Sequence, residues 1–164
     1  MQVKDFMQTE VVVIEPEKST MDAYKLMKKN HIRHLPVVSY DKLIGIVTDR
    51  DLRRPNMADE FFAANDYYQL DGSFVVKDVM TTNAYSVLAS TDMMVVAIVL
   101  TQKKIGAIPV VEEDRSVIGI ISITDVLNYF IKGYSESGLN QYQEELNQIY
   151  TIRLEDVLKH VDHF

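Results

Sequence analysis

The sequence predicts an α+β fold made of two copies of one βαββα unit, related by a pseudo-two-fold axis and followed by a helical segment. Two observations carry this. The first is duplication: Val3-Lys4-Asp5-Phe6-Met7 returns as Val76-Lys77-Asp78-Val79-Met80, and Leu43–Leu52 returns as Val117–Val126. Met7 matches Met80 and Pro36 matches Pro109 at an offset of 73; after one extra residue near Ser116 the offset is 74, pairing Gly45 with Gly119 and Asp51 with Asp125. The second is that each copy runs through the same change of pattern: a β-branched run, a stripe at helical spacing, two apolar runs joined by a polar turn, and a further helix start. The resulting boundaries are 1–55 and 74–133 for the two repeats, 56–73 for the connection and 134–164 for the tail.

In the first repeat, Val11–Ile14 reads as a strand ended by Pro16. Ser19 or Thr20 is a candidate N-cap, and Ala23, Leu26 and Met27, with Tyr24, form an apolar helical stripe. Leu35–Val38 reads as a strand with proline near its start, where a missing N–H is tolerable. Tyr40-Asp41-Lys42 turns the chain into a strand over Leu43–Val47, and Thr48 opens a helix that Pro55 stops. In the second repeat, Thr91 or Asp92 caps a helix over Met93–Lys103 that is apolar on most faces, a pattern expected of an interior or an interface. Ile108–Val111 and Val117–Ile121 pair across Glu112–Ser116; Ser122 starts the last helix, with Gly133 at its expected end. The aromatics Phe61, Phe62, Tyr67 and Tyr68 argue that the connection packs rather than swings free. Leu139–Phe164 has the periodicity of an amphipathic helix or helix pair, capping its own chain or a second subunit.

Composition narrows the function. The 164 residues are 47% hydrophobic and 25% charged, as expected of a globular protein. With no cysteine, disulfides, thiolate metal sites and cysteine nucleophiles are excluded. A net charge of −7 opposes sequence-independent nucleic-acid binding. The start has no signal-peptide pattern and Met93–Leu100 is too short to span a bilayer, so a cytoplasmic location without membrane insertion is expected. His31 with His34, and His160 with His163, lack the spacing of a helical zinc pair, and no phosphate loop or nucleophile elbow occurs. Neither a metal site, a catalytic cofactor nor an enzyme is expected.

The chemistry concentrates in a motif that occurs twice, Gly45–Asp51 and Gly119–Asp125: glycine, two apolar residues, Thr or Ser, two more, then Asp. A capping box explains it without any ligand, because the hydroxyl and the acid can satisfy the first N–H groups of a helix. The same geometry also suits a ligand. Free N–H groups receive polar atoms, and a carboxylate accepts hydrogen bonds from ribose hydroxyls.

The paired units, with His31-Ile32-Arg33-His34-Leu35-Pro36-Val37-Val38 and Ile46-Val47-Thr48-Asp49-Arg50-Asp51, resemble tandem cystathionine-β-synthase (CBS) domains, a Bateman module, over residues 1–131. The first repeat is similar to bacterial acetoin-utilisation-type CBS proteins, although the tail is shorter than the ACT-like domain those typically carry. The resemblance implies an adenosine ligand: AMP, ADP or ATP, with S-adenosylmethionine or a cyclic dinucleotide as alternatives. It implies a main site of Ser122, Thr124 and Asp125 with Val12, Ile32, Arg33 and His34. A second, weaker site would combine Thr48, Arg50 and Asp51 with Tyr85, Ile105, Gly106 and Ala107. Arg33 and His34 offer phosphate donors where Gly106 and Ala107 offer none, so the Asp125 site is expected to take the phosphorylated ligand. The resemblance also implies a homodimer through Leu52-Arg53-Arg54 and Val126–Ile131, and a regulated partner protein. A structural or protein-interaction module with empty pockets is the competing reading.

Overall fold

In the computed structural model, which describes residues 1–53 and 74–135, each repeat opens with a single helical turn, Val3–Asp5 and α2 (Val76–Val79). The first continues through α1 (Thr20–Asn30), β1 (His34–Ser39), β2 (Lys42–Thr48) and a 3₁₀ turn at Asp51–Arg53. The second continues through β3 (Thr81–Thr82), β4 (Val87–Leu88), α3 (Met93–Lys103), β5 (Ala107–Val111), β6 (Val117–Ser122) and α4 (Ile123–Ser135). The described residues form two three-stranded sheets, ordered β1-β2-β3 and β4-β5-β6. Both lie in one compact unit, Met1–Leu127, and residues from Asn128 onward belong to a second.

The helices start where short polar side chains can take up free N–H groups. Ser19 accepts from Asp22 N at 3.0 Å and Asp92 from Met94 N at 2.8 Å. Both helices end in a left-handed residue, His31 (φ 54°) and Lys104 (φ 54°). Each buries a stripe at matching positions: Thr20, Ala23 and Met27 on α1, and Met93, Val96 and Leu100 on α3. The all-round apolar character of α3 does not bury it within the described residues, because Met94 (64%) and Ile98 (46%) are exposed. One stripe is all that a helix lying on a sheet can cover.

The expected strand at Val11–Ile14 shrinks to one rung. Ile14 N donates to Pro36 O at 3.0 Å and Val38 N to Ile14 O at 2.9 Å. In a parallel ladder the next rung would need an N–H from residue 36, and proline has none. Pro109 limits β4 to Val87–Leu88 against Val110–Val111 in the same way. At the other end of the second repeat, α4 runs through Gly133 to Ser135 instead of stopping there. Glycine is costly within a helix, but only by about 1 kcal/mol relative to Ala.

The opening turns are exchanged between repeats. Val3 N donates to Thr91 O (2.9 Å) and Lys4 N to Ala89 O (3.0 Å), both on the segment leading into α3. Reciprocally, Val76 N donates to Lys18 O (2.8 Å) and Lys77 N to Pro16 O (3.0 Å), ahead of α1. Val76 thereby joins the first-repeat core of Ile14, Ala23, Met27, Leu35, Val37, Val47 and Leu52. Fully burying such a valine stabilises by roughly 1.5–3 kcal/mol.

The chain after each turn stays on the opposite sheet. Thr81 pairs with Ile46 in β2, and Gln8 pairs with Ile120 in β6. Close approach explains both motif glycines: a Cβ on Gly45 would lie 2.7 Å from Thr81 O, and one on Gly119 would lie 2.6 Å from Met7 Sδ. The axis relating the halves passes by the two hairpins, where the equivalent residues Lys42 and Ser116 bridge and the Lys42 ammonium pairs with Asp114.

Candidate functional site

Each motif residue sits where a strand gives way to a helical turn. Thr48 ends β2 and Asp51 opens the 3₁₀ turn; Ser122 ends β6 and Asp125 lies in the first turn of α4. Asp51 Oδ2 accepts from Thr48 N (3.0 Å) and Thr48 Oγ1 (2.7 Å). Asp125 Oδ2 accepts from Ser122 N (2.8 Å) and Ser122 Oγ (2.5 Å). Both hydroxyls accept in return from the aspartate N–H, at 3.2 and 3.3 Å. The capping box is therefore real in both copies. Each aspartate is buried, at 9% and 8% exposure, with Oδ1 outside the box.

A second matched pair of bonds ties each motif to the residue before the first strand of its hairpin, β1 or β5. Asp49 N donates to Arg33 O (3.0 Å), and Ile123 N donates to Gly106 O (3.1 Å). Between these junctions stands His34. Its ring lies against Gly106, where a Cβ would come within 2.6 Å of Nε2. Burial holds its pKa below the usual 6.5, with Arg33 acting in the same direction and Asp49 and Asp51 opposing. The imidazole thus faces the Asp51 motif of its own repeat and the Gly106–Ile123 junction of the other.

The remaining predicted residues divide by surface. Ile32 and Arg33 line a cleft of about 240 Å³ with Tyr24, Met27, Lys28, His31 and Asp49. The Lys28 ammonium lies 5.6 Å from the Tyr24 ring centroid. Ser122, Thr124 and Asp125 are not among its lining residues. Val12 and Ile105 are half-buried, while Arg50 and Thr124 are exposed. Tyr85 is exposed, with the Lys103 ammonium 5.4 Å from its ring centroid. Leu52 belongs to the first-repeat core, which removes it from the expected dimer surface. Arg54, Pro55, the connection at 56–73 and the tail at Leu139–Phe164 lie outside the described residues. Among the described residues, no group of three His, Cys, Asp or Glu could hold a metal ion, and no helix is long and apolar enough to cross a membrane.

Sequence reasoning missed Gln8. Its Nε2 donates to Asp125 Oδ1 at 3.2 Å, across 117 residues of sequence. The signal was present: Gln8 follows Met7, and its equivalent Thr81 follows Met80. What was missing was the exchange that carries Gln8 to the other repeat.

The family model of the CBS domain matches residues 3–55 and 76–132. The chain is a tandem CBS-domain protein. Its two CBS repeats form one Bateman module, and solved CBS pairs share the arrangement. The CBS domain pair of protein MJ0100, solved with 5′-methylthioadenosine and S-adenosyl-L-methionine, is 28% identical with a TM-score of 0.67, covering 81% of this chain and 98% of that one. CBSX2 of Arabidopsis thaliana, solved with AMP, is 29% identical with a TM-score of 0.65, covering 80% and 96%. An inosine-5′-monophosphate dehydrogenase of Korarchaeum cryptofilum is 33% identical over 123 residues, 75% of this chain but 23% of the dehydrogenase. The CBS pair thus matches a small part of that enzyme.

Proposed function

We propose that this CBS pair is a regulatory, non-catalytic module that senses an adenosine nucleotide of the AMP, ADP or ATP class and passes the signal to a partner protein. The observation that carries the reading is Asp125. The residue is 8% exposed and its carboxylate is held by N–H and O–H donors, with no ion pair among the described residues. An acceptor-only group so placed suits ligand hydroxyls. The MJ0100 pair, solved with 5′-methylthioadenosine and S-adenosyl-L-methionine, and CBSX2, solved with AMP, support an adenosine-containing ligand in general.

In this reading Ser122, Thr124 and Asp125 hold the ribose, while Val12, Ile32, Arg33 and His34 receive base and phosphate. The second site, with Thr48, Arg50, Asp51, Tyr85 and Ile105, has Gly106 in place of a phosphate-binding cation and is the weaker. The ligand shifts the balance between module arrangements, which the partner reads. The module works in the cytoplasm as a homodimer through α4, where Leu127 and Phe130 are exposed by 54% and 59%. Isothermal titration calorimetry with AMP, ADP, ATP and S-adenosylmethionine tests the ligand. Asp125→Ala is expected to lower affinity at least tenfold, and an unchanged affinity refutes the site. The competing reading, a protein-interaction module without a nucleotide, draws on the exposed apolar side chains Met94, Val95 and Ile98 of α3. A flat response to all four compounds favours it.

A further inference from the structure

We infer that Gln8 is a specificity-determining residue of the Asp125 site: its side-chain amide and the Asp125 carboxylate form one receptor for the two vicinal hydroxyls of a ribose. The inference rests on the proposed adenosine ligand, and adds a residue and a selectivity to it.

The first support is placement. Gln8 N donates to Ile120 O at 2.9 Å and Gln8 O accepts from Ile120 N at 3.0 Å, so the backbone is fixed on β6 from both sides. Gly119 permits this approach, because a Cβ there would meet Met7 Sδ at 2.6 Å and Gln8 O at 3.2 Å. From this anchor the Gln8 side chain reaches Asp125 Oδ1 at 3.2 Å.

The second support is hydrogen-bonding capacity. Asp125 Oδ2 is engaged by Ser122 N and Oγ, so ligand binding falls to Oδ1. A carboxylate only accepts, so the amide must present its NH₂ to Oδ1, which orients the group and leaves Oε1 and a second N–H for another partner. Oδ1 retains room for one further donor. The pair then offers an acceptor for one hydroxyl and, beside it, an amide that can meet the other hydroxyl as acceptor or donor. A phosphate does not fit here, since Oδ1 would repel it. Two adjacent neutral hydroxyls do.

The third support is the comparison of the two halves. The equivalent of Gln8 is Thr81, paired with Ile46 at the corresponding place on β2. Its side chain is two bonds shorter and carries no amide. Selectivity for a vicinal diol therefore belongs to the Asp125 site, not to both.

The test is calorimetric affinity for AMP and 2′-deoxy-AMP in wild type and Gln8→Ala. Wild type is expected to prefer AMP by roughly tenfold, the size of one hydrogen bond made or left unpaired in such a site. Gln8→Ala should weaken AMP by about that factor while leaving nearly unchanged the deoxy nucleotide that lacks the hydroxyl Gln8 meets, 2′-deoxy-AMP or, measured beside it, 3′-deoxy-AMP, so that the preference over that nucleotide collapses. An equal loss for AMP and both deoxy nucleotides would mean that Gln8 only props the carboxylate, and overturns the inference. So does a variant that keeps both wild-type preferences. If wild type binds none of these nucleotides, the adenosine reading fails and takes this inference with it.

Discussion

Gly45 and Gly119 occupy equivalent positions, yet replacing each with alanine should give different outcomes. Neither glycine has a left-handed φ, so alanine is not strained by the backbone itself. Restricting the unfolded chain would alone stabilise each variant by about 0.4–1 kcal/mol. Contacts decide the difference. At Gly45 the new Cβ lies 2.7 Å from the Thr81 carbonyl, where Cβ contacts under 3.0 Å are essentially never found. That oxygen belongs to β3, which is pinned to β2, so relief requires moving backbone and loosening a two-residue strand. At Gly119 the nearest atom, at 2.6 Å, is Met7 Sδ, the far part of a flexible side chain; the nearest backbone atom, Gln8 O, is at 3.2 Å. Overpacking against fixed groups costs about 1–3 kcal/mol. Gly45→Ala is therefore expected to lose about 1–2 kcal/mol net, and Gly119→Ala to stay within about 0.5 kcal/mol of wild type. Urea unfolding at equilibrium measures both, and a common slope makes the midpoints comparable. Equal losses, or a larger loss at Gly119, would refute the reasoning from the identity of the clashing atom.

Three further predictions follow from the contacts between halves. Val76→Ala should cost about 2 kcal/mol, from two lost methyl groups and a partly collapsed cavity. Its signature should be faster amide exchange in α1 of the first repeat, although Val76 belongs to the second; protection lost only near residue 76 would contradict the exchange of opening turns. His34 should titrate below 6.5 in NMR, because its burial disfavours the charged ring. The sign follows: the unfolded state takes up the proton first, so this group's contribution to stability is intact above 6.5 and is lost as pH falls through the lower folded value. Gly106→Ala should push the ring from its seat and bring its pKa back towards 6.5. An unchanged titration would show that the Gly106 contact does not set the burial.

Much of the fold was legible because its signals are local. Ser19 and Asp92 announce helix starts in any context, and Ala23 and Met27 fall on one face of a helix whatever lies opposite. The exchange of opening turns was not legible, for a physical reason. Val-Lys-Asp occurs in both copies, so docking on its own repeat or on the other places the same residues against nearly the same surroundings. Local pattern cannot distinguish the two, and Gln8 was lost to view with it. The single rung at Ile14 was hidden differently: the residue that shortens it, Pro36, lies in the neighbouring strand. In the site, the internal hydrogen bonding of Thr48 with Asp51 and Ser122 with Asp125 could be read from spacing. The seat of His34 against Gly106 could not, because it joins residues from opposite sides of the axis.

The exchanged opening turns make each half an incomplete object. Cut away, the first repeat would bare the slot that Val76 fills, and the second the slot that Val3 fills, so neither has a finished interior alone. The halves should melt together in one transition, and partial unfolding of one should release a segment of the other. A small molecule held by either motif then stabilises both. Communication across the module needs no hinge or relay: it is already present in how the chain closes its two cores.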